Sequence, residues 1–302
     1  MKRHSLNEWI AATRPWSYPA SAMPVAVTLA YLYWAGHAPN LLNGLWALLN
    51  IILFHAAGNT WSDYFDHKHK VDAEDTFGAK TLTSGQFTPR EIFRLSLGLL
   101  AAALMGGVLL TLRTGWPLLA IGAAGALCSL LYPKLKYCAW GDAVIYVTYA
   151  LLPTLGTSFV TTGAFHPEAL WITLPSGLIT VAILHANNTR DVATDRRAGI
   201  RTLAMNIGPK ASTVVYMLEV LLPYPLVLCY VLTGMLPWWA LAVLLSLPIA
   251  IGNCSAALRA NREGSNQAIG NLDERSAQLQ LLFNLLLLLT AAGKLFGASP
   301  AI

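Results

Sequence analysis

Nine apolar stretches, each close to the length that spans a lipid bilayer, recur along this chain and decide what it can fold into. They fall at about 17–35, 41–61, 94–112, 115–132, 142–161, 168–187, 212–234, 237–257 and 277–298. An α-helix needs about 20 residues to cross the hydrocarbon core, and every stretch is near that length. Composition agrees: 55% of the 302 residues are hydrophobic and 12% are charged, where a soluble domain carries about 25% charged residues. The sequence therefore predicts an all-α integral membrane protein, a bundle of about nine transmembrane helices with loops capping one end. No linker or low-complexity segment divides it, so residues 1–302 read as a single domain whose two long polar loops are 62–93 and 187–211. The opening "MKRHSLNEWIAATRPWSYPA" is polar and partly amphipathic, without a cleavage site after a short apolar core; it reads as an interfacial lead-in rather than a signal peptide. Cys128, Cys138, Cys229 and Cys254 lack ligand spacing and read as isolated reduced thiols.

The cations set the orientation. With nine spans, alternate connections share a side, and of the 20 lysines and arginines only Arg113 and Lys294 fall on one of the two sides. The positive-inside rule puts the rich side in the cytoplasm, which predicts a multi-pass protein of the cell membrane with its N-terminus inside and its C-terminus outside. The net charge of +5 follows from this bias and from anionic headgroups, and calls for no nucleic-acid partner.

Acid is also concentrated on the cytoplasmic side. The second connection holds Asp63, Asp66, Asp72, Glu74 and Asp75, and the sixth, "NNTRDVATDRRAGIRTLA", holds Asp191 and Asp195. On a helix, Asp63 and Asp66 share a face, as do Asp191 and Asp195, and like charges so placed repel unless a cation offsets them. Neighbouring arginines in a solvated, salt-bridged loop could do that. The competing reading is a Mg²⁺–diphosphate site, because Mg²⁺ favours oxygen ligands and shares its shell with substrate phosphates, while lysine and arginine bind the other phosphate oxygens. Two features favour it: the pairs begin where apolar spans end, and both loops are long for simple connectors. "LYPKLKYCAWGD" adds Tyr132, Lys134, Lys136 and Asp142 on the same face.

These residues resemble a known family. "NNTRDVATDRRAGIRTLA" followed by "NIGPKAS" is similar to the second aspartate-rich motif of UbiA-type intramembrane prenyltransferases, and most resembles the 1,4-dihydroxy-2-naphthoate polyprenyltransferase branch of menaquinone biosynthesis. "SDYFDHKHKVD" is similar to the first motif, "YPKLK" to the family's Tyr-x-x-x-Lys, and "TRPWSYPASAMPV", with Arg14, to its Arg-Pro approach to the first helix. The resemblance implies Mg²⁺-dependent transfer of a polyprenyl group from polyprenyl diphosphate to an aromatic acid acceptor within the bilayer. For dihydroxynaphthoate it implies loss of the carboxylate as CO₂, giving demethylmenaquinone. By motif position, Asp66, Asp191 and Asp195 match the metal-binding carboxylates, and Asp63 and Asp72 the accompanying acids. Lys136, Tyr132 and Arg190 match diphosphate-binding positions, and Asn187 and Asn188 open the second motif. Trp16, Tyr146 and Tyr149 are candidate aromatics facing an allylic cation, or else ordinary packing residues.

Two positions depart from the family pattern. Ser62 stands where the first motif usually opens with Asn; its hydroxyl can still coordinate Mg²⁺, more weakly than a carboxamide, and Asn59 one turn earlier is a possible substitute. Ile200 stands where many relatives of this branch carry Lys. Acceptors such as 4-hydroxybenzoate, a haem, a chlorophyll or a sugar phosphate fit the same mechanism. A cation-coupled transporter is the alternative of another class, but it calls for carboxylates near the bilayer midplane, where Glu219 is the main acid.

Overall fold

Proline and capping side chains cut the apolar runs into rods. The computed structural model describes residues 4–69 and 80–292, so Asp72, Glu74, Asp75, Lys70 and Lys294 lie outside the described residues. A short helix, α1 (Leu6–Ala12), starts with a Ser5–Glu8 capping box. It is followed by α2 (Pro19–Trp34), α3 (Leu41–Lys68) and α4 (Pro89–Thr114), the last two capped by Asn40 and by a Thr88–Glu91 capping box. Then come α5 (Pro117–Lys136) and α6 (Gly141–Tyr146), which runs through a π turn at Val147–Leu151 into α7 (Leu152–Thr162). After α8 (Glu168–Arg190) and the short α9 (Val192–Arg197), α10 (Leu203–Leu221) and α11 (Pro223–Leu232) form one rod. A 3₁₀ stretch (Trp238–Ser246) leads into α12 (Leu247–Glu263), and α13 (Leu272–Leu287) closes the bundle.

Counted as rods, with α6–α7, α10–α11 and the 3₁₀–α12 pair each taken as one, nine cross the bundle among the described residues. Seven are long and apolar enough to cross a membrane. The other two, α2 and α13, have 16 residues each, about 24 Å at 1.5 Å per residue. The expected spans are therefore found, and no extended strand occurs among the described residues.

The rods surround α8, the most buried of the seven, while α5 faces almost wholly outward. Against α8 pack α2, α6, α10, α11 and α13, and its Ile172, Ile179, Ala182 and Ala186 join Tyr216, Val220, Leu279 and Phe283 in the main core. The close approach of α6 requires Gly177: a Cβ there would lie 2.6 Å from Ala150 Cβ and 2.9 Å from the Tyr146 ring. Outward, Leu104, Met105, Leu112, Leu127 and Leu131 are exposed, an apolar face suited to lipid.

One boundary differs from the expectation in a way that shapes the site. The second span was expected to end near residue 61, but α3 continues to Lys68. Asp63 and Asp66 thus ride on a helix rather than in a loop, because cationic and hydroxyl partners from other elements meet them there. In the sixth connection the loop is likewise short, since α8 runs to Arg190 and α9 resumes at Val192.

Candidate active site at the charged end

Of the described lysines and arginines, all but Arg113 lie at one end of the bundle, where α3, α5 and α8 finish and α4, α6 and α10 begin. Asp66, on the inner face of α3, is buried and accepts three hydrogen bonds. Tyr137 Oη donates to Oδ1 at 2.5 Å, Ser62 Oγ to Oδ2 at 3.2 Å, and Lys136 Nζ to Oδ2 at 3.4 Å. Both Lys136 and Tyr137 come from the end of α5, so Asp66 joins α3 to α5. The Tyr132 phenol, one turn back on α5, lies in the electrostatic reach of Lys136, Asp66, Asp142 and Arg14.

Asp63, one turn before Asp66 and also buried, is ion-paired with Arg14. Arg14 sits between α1 and α2 in the left-handed region (φ 58°, ψ 59°), a conformation that costs on the order of 1–3 kcal/mol and persists where the surroundings enforce it. Here the Asp63 ion pair and an Asn59 Nδ2 bond to the Thr13 carbonyl at 3.0 Å supply that constraint. Asn59 Nδ2 also donates to Ser17 Oγ at 3.0 Å. Asn59 therefore ties down the Arg14 turn, whereas Ser62 is the polar neighbour directed at Asp66.

The second acidic pair is built differently. At Asp191 the helix breaks (φ −92°, ψ 10°) between α8 and α9. Arg190 grips it in fork geometry, Nε to Oδ1 at 2.8 Å and Nη2 to Oδ2 at 3.0 Å. The same guanidinium reaches Asp273 of α13 at 2.7 Å, donates to the Gly270 carbonyl at 3.2 Å, and bonds Asn187 Oδ1. Arg190 thus holds Asp191 and the 264–271 turn together. Asn266 Nδ2 completes that tie by donating to the Arg190 carbonyl at 2.7 Å.

Asp195, on α9, is buried. Burial is the largest influence pushing its carboxyl up, to about 7; Lys136 opposes this, while the negative charges of Asp191 and Asp66 add to it. Carboxylates from α3 and from the α8–α9 junction therefore lie within electrostatic reach of one another, with Lys136 acting on both Asp66 and Asp195. Backbone geometry supports the convergence: Arg201 N donates to the Tyr137 carbonyl at 3.1 Å, and Cys138 and Arg201 pair as a parallel bridge. After this bridge, α10 bends at Gly208 (φ 80°, ψ 167°), a conformation open to glycine, before Pro209 starts its straight part. Such a set of oxygen donors, with one acid raised chiefly by burial, suits a hard divalent cation.

Asp142 and Asn188 stand apart from this cluster. Asp142 accepts from His185 Nδ1 at 2.7 Å and from Asn188 Nδ2 at 3.3 Å, and His185 Nε2 bonds Ser212 Oγ at 2.9 Å. Glu219 lies 3.9 Å from the same imidazole. This buried network locks α6, α8 and α10 beneath the second motif, which gives Glu219 a structural setting. Of the candidate aromatics, Trp16 is 65% exposed, Tyr146 packs at Gly177, and Tyr149 meets buried His55 edge-on at 4.9 Å. Sequence reasoning missed Tyr137, whose only local signal is its place beside Lys136 at the end of α5. It also missed His55, which lies on the Asn59–Asp63–Asp66 face of α3 and could have been found by helical periodicity.

Known proteins fit this arrangement. The sequence matches the UbiA prenyltransferase family over residues 22–272. UbiA prenyltransferase domain-containing protein 1 of Xenopus tropicalis is 33% identical over 289 residues, covering 92% of this chain and 79% of that protein. The Homo sapiens protein of the same name is 33% identical over 305 residues, 97% and 87% of the two chains. The fold is similar to that of a UbiA homolog from Archaeoglobus fulgidus bound to DMAPP and Mg²⁺, with TM-score 0.65 and 14% identity over 94% of this chain and 99% of that one. It is also similar to digeranylgeranylglyceryl phosphate synthase, with TM-score 0.64 and 18% identity over 95% and 99%. The two curated relatives share the expected family without bearing the name of its dihydroxynaphthoate branch.

Proposed function

The chain belongs to the UbiA prenyltransferase family, and from that premise we propose that it transfers a polyprenyl group from polyprenyl diphosphate to an aromatic acid, with Mg²⁺ held at the charged end. The observation that carries this reading is that Lys136, paired with Asp66, also acts on Asp195, which in turn feels the charges of both Asp66 and Asp191. The donor set fits the ion: its carboxylates are oxygen ligands, and a cation offsets both the burial that raises Asp195 and the like charges of Asp191 and Asp66 that add to it. Asp66, Asp191 and Asp195 would hold it, with Ser62 beside Asp66. Bound there, Mg²⁺ supplies charge neutralisation for a leaving diphosphate.

The chain's own groups do the rest. Lys136 presents its ammonium to diphosphate oxygens, stabilising the charge that grows as the allylic C–O bond breaks with its electron pair going to oxygen. Tyr137 and Ser62 orient Asp66, and Arg190 orients Asp191. Arg14, Asp63 and Asn59 fix the turn that closes the mouth from the α1 side. The apolar bundle keeps water from the allylic cation until an electron-rich ring carbon attacks it. With 1,4-dihydroxy-2-naphthoate, the motif-based choice of acceptor, the new C–C bond replaces the carboxylate, which leaves as CO₂; with 4-hydroxybenzoate a ring proton leaves instead. The naphthoate reading rests on the Asn187-Asn188-x-Arg190-Asp191 motif.

The test is turnover by purified protein in detergent with Mg²⁺, a polyprenyl diphosphate and a panel of aromatic acids. Product from dihydroxynaphthoate with one CO₂ per turnover is expected. Product only from 4-hydroxybenzoate would overturn the acceptor, and no product from any acceptor with folded protein would overturn the activity. We further propose that the charged end faces the cytoplasm, from the charge asymmetry. In a cysteine-free background, an impermeant maleimide should reach exposed Gln86→Cys from the cytoplasmic side alone; labelling from outside would reverse the orientation.

A further inference from the structure

At the opposite end of the bundle, about as far from the acidic mouth as the rods allow, three side chains meet. His37 lies in the turn after α2, between Gly36 (φ 87°) and Ala38 (φ 46°). His166 lies between α7 and α8, and Glu168 opens α8. Glu168 Oε1 is 3.0 Å from His166 Nδ1 and 3.4 Å from His37 Nε2, and the ligand atoms of all three residues lie within 4.8 Å of one another. The imidazole ring centroids are 3.9 Å apart.

Hydrogen bonding at Thr162 favours one His166 tautomer. The single Thr162 hydroxyl proton has two carbonyl acceptors, Ser158 O at 2.7 Å and Ala164 O at 3.1 Å. With that proton on the Ser158 carbonyl, the Thr162 oxygen accepts from Ala164 N at 3.2 Å and from His166 Nε2 at 3.1 Å, the arrangement in which Nε2 carries a proton. That turns Nδ1 toward Glu168 Oε1, and a lone pair facing a carboxylate at 3.0 Å needs a cation between them. A proton would make His166 an imidazolium 3.9 Å, centroid to centroid, from a second imidazole inclined at 42°, itself next to Glu168. A metal ion answers all three ligands at once. Metal–nitrogen and metal–oxygen bonds of about 2.0–2.1 Å in tetrahedral geometry put ligand atoms about 3.3 Å apart, and the observed separations are 3.0 and 3.4 Å. Thr162 is the kind of outer partner that fixes a metal-binding imidazole. Two imidazoles and one carboxylate suit Zn²⁺ or a similar transition ion, not Mg²⁺. All three residues are partly exposed, leaving a coordination position for water.

We propose that His37, His166 and Glu168 form a transition-metal site of the Zn²⁺ class on the face opposite the acidic mouth. There the ion would staple the α2–α3 turn to the α7–α8 turn, alongside the Asn40 N to Thr161 O hydrogen bond of 2.8 Å.

The probe is Co²⁺, followed by Zn²⁺ competition, on full-length protein purified without a histidine tag and kept in excess Mg²⁺ to saturate the acidic mouth. Visible d–d absorption of a low-coordinate Co²⁺ centre at one equivalent is expected, bleached by one equivalent of Zn²⁺. His37→Ala and His166→Ala should each weaken Co²⁺ binding by at least about tenfold, and Thr162→Val by a smaller factor through the lost tautomer control. Zn²⁺ should raise the thermal unfolding midpoint of the wild type and not of His166→Ala, which also shows that the variant folds. Absence of the Co²⁺ signal in the wild type, its displacement by Mg²⁺, or its full retention in both histidine variants would each overturn the proposal.

Discussion

The two acidic halves of the mouth carry like residues and are built on unlike scaffolds. On α3 both acids sit on one uninterrupted helix, and each has its own partners from elsewhere: Arg14 for Asp63, and Tyr137 with Lys136 for Asp66. At the α8–α9 junction the helix breaks at Asp191, and a single arginine gathers that acid, Asn187, Asp273 and the Gly270 carbonyl. The first half is rigid because its backbone is; the second is rigid because Arg190 makes it so. The contrast teaches where the protein stores its order: on α3 separate partners meet acids already set by one helix, while the broken helix is tied through a single arginine.

That contrast can be broken or sharpened by mutation. If both halves serve one cation, Asp66→Ala and Asp191→Ala should each lower the turnover number by roughly 10²–10³-fold, the scale seen when a transition-state charge stabiliser is removed. Steady-state turnover in detergent checks this, and near-normal activity of either variant would mean that the halves act separately. Next in size is stability. Arg190→Ala strips contacts to four groups, two of them acids, whereas Arg14→Ala removes the ion-pair partner of one buried acid. Losses on the order of 3 kcal/mol are expected where a buried ion pair is broken, larger for Arg190, and thermal unfolding of the two variants gives the order. Reversal of that order would remove the distinction between helix-borne and arginine-tied acids. Tyr137→Phe removes one hydrogen bond to a charged group, worth about 1.5–3 kcal/mol at most, and should slow turnover by about tenfold without unfolding the protein. Smallest, Ser62→Asn places a carboxamide oxygen beside Asp66 and should lower the Mg²⁺ concentration for half-maximal rate by about threefold, or about 0.7 kcal/mol.

Much of the fold was legible in the sequence because a bilayer leaves few choices: length and apolarity located the rods, and the structure moved some of their ends by about two turns or more, as at Lys68 and Leu203. The acidic pairs were legible for a similar reason, since charge in an oily chain is conspicuous. What sequence could not show was which cation serves which acid. Arg190 looks equally suited to phosphate or to its neighbour Asp191, and the choice is made by Asp273 and Gly270, some 80 residues on. Asn59 reads as a spare ligand until its amide is seen to bond Thr13 and Ser17. Tyr137 falls outside the motif and matters because the Cys138–Arg201 bridge brings its turn against the second acidic half. The boundary of α3 was misjudged because hydropathy ends at the first polar turn, while the helix continues as far as its polar groups find partners.

The central claim is that acids from both halves hold a divalent cation and a diphosphate together. Isothermal titration of the folded protein with a non-hydrolysable prenyl thiolodiphosphate tests it most directly, with and without Mg²⁺, for the wild type, Asp66→Ala and Asp191→Ala. The account predicts binding that requires Mg²⁺ in the wild type and is lost in both variants. Equal affinity without Mg²⁺, or undiminished Mg²⁺-dependent binding in either variant, would contradict it.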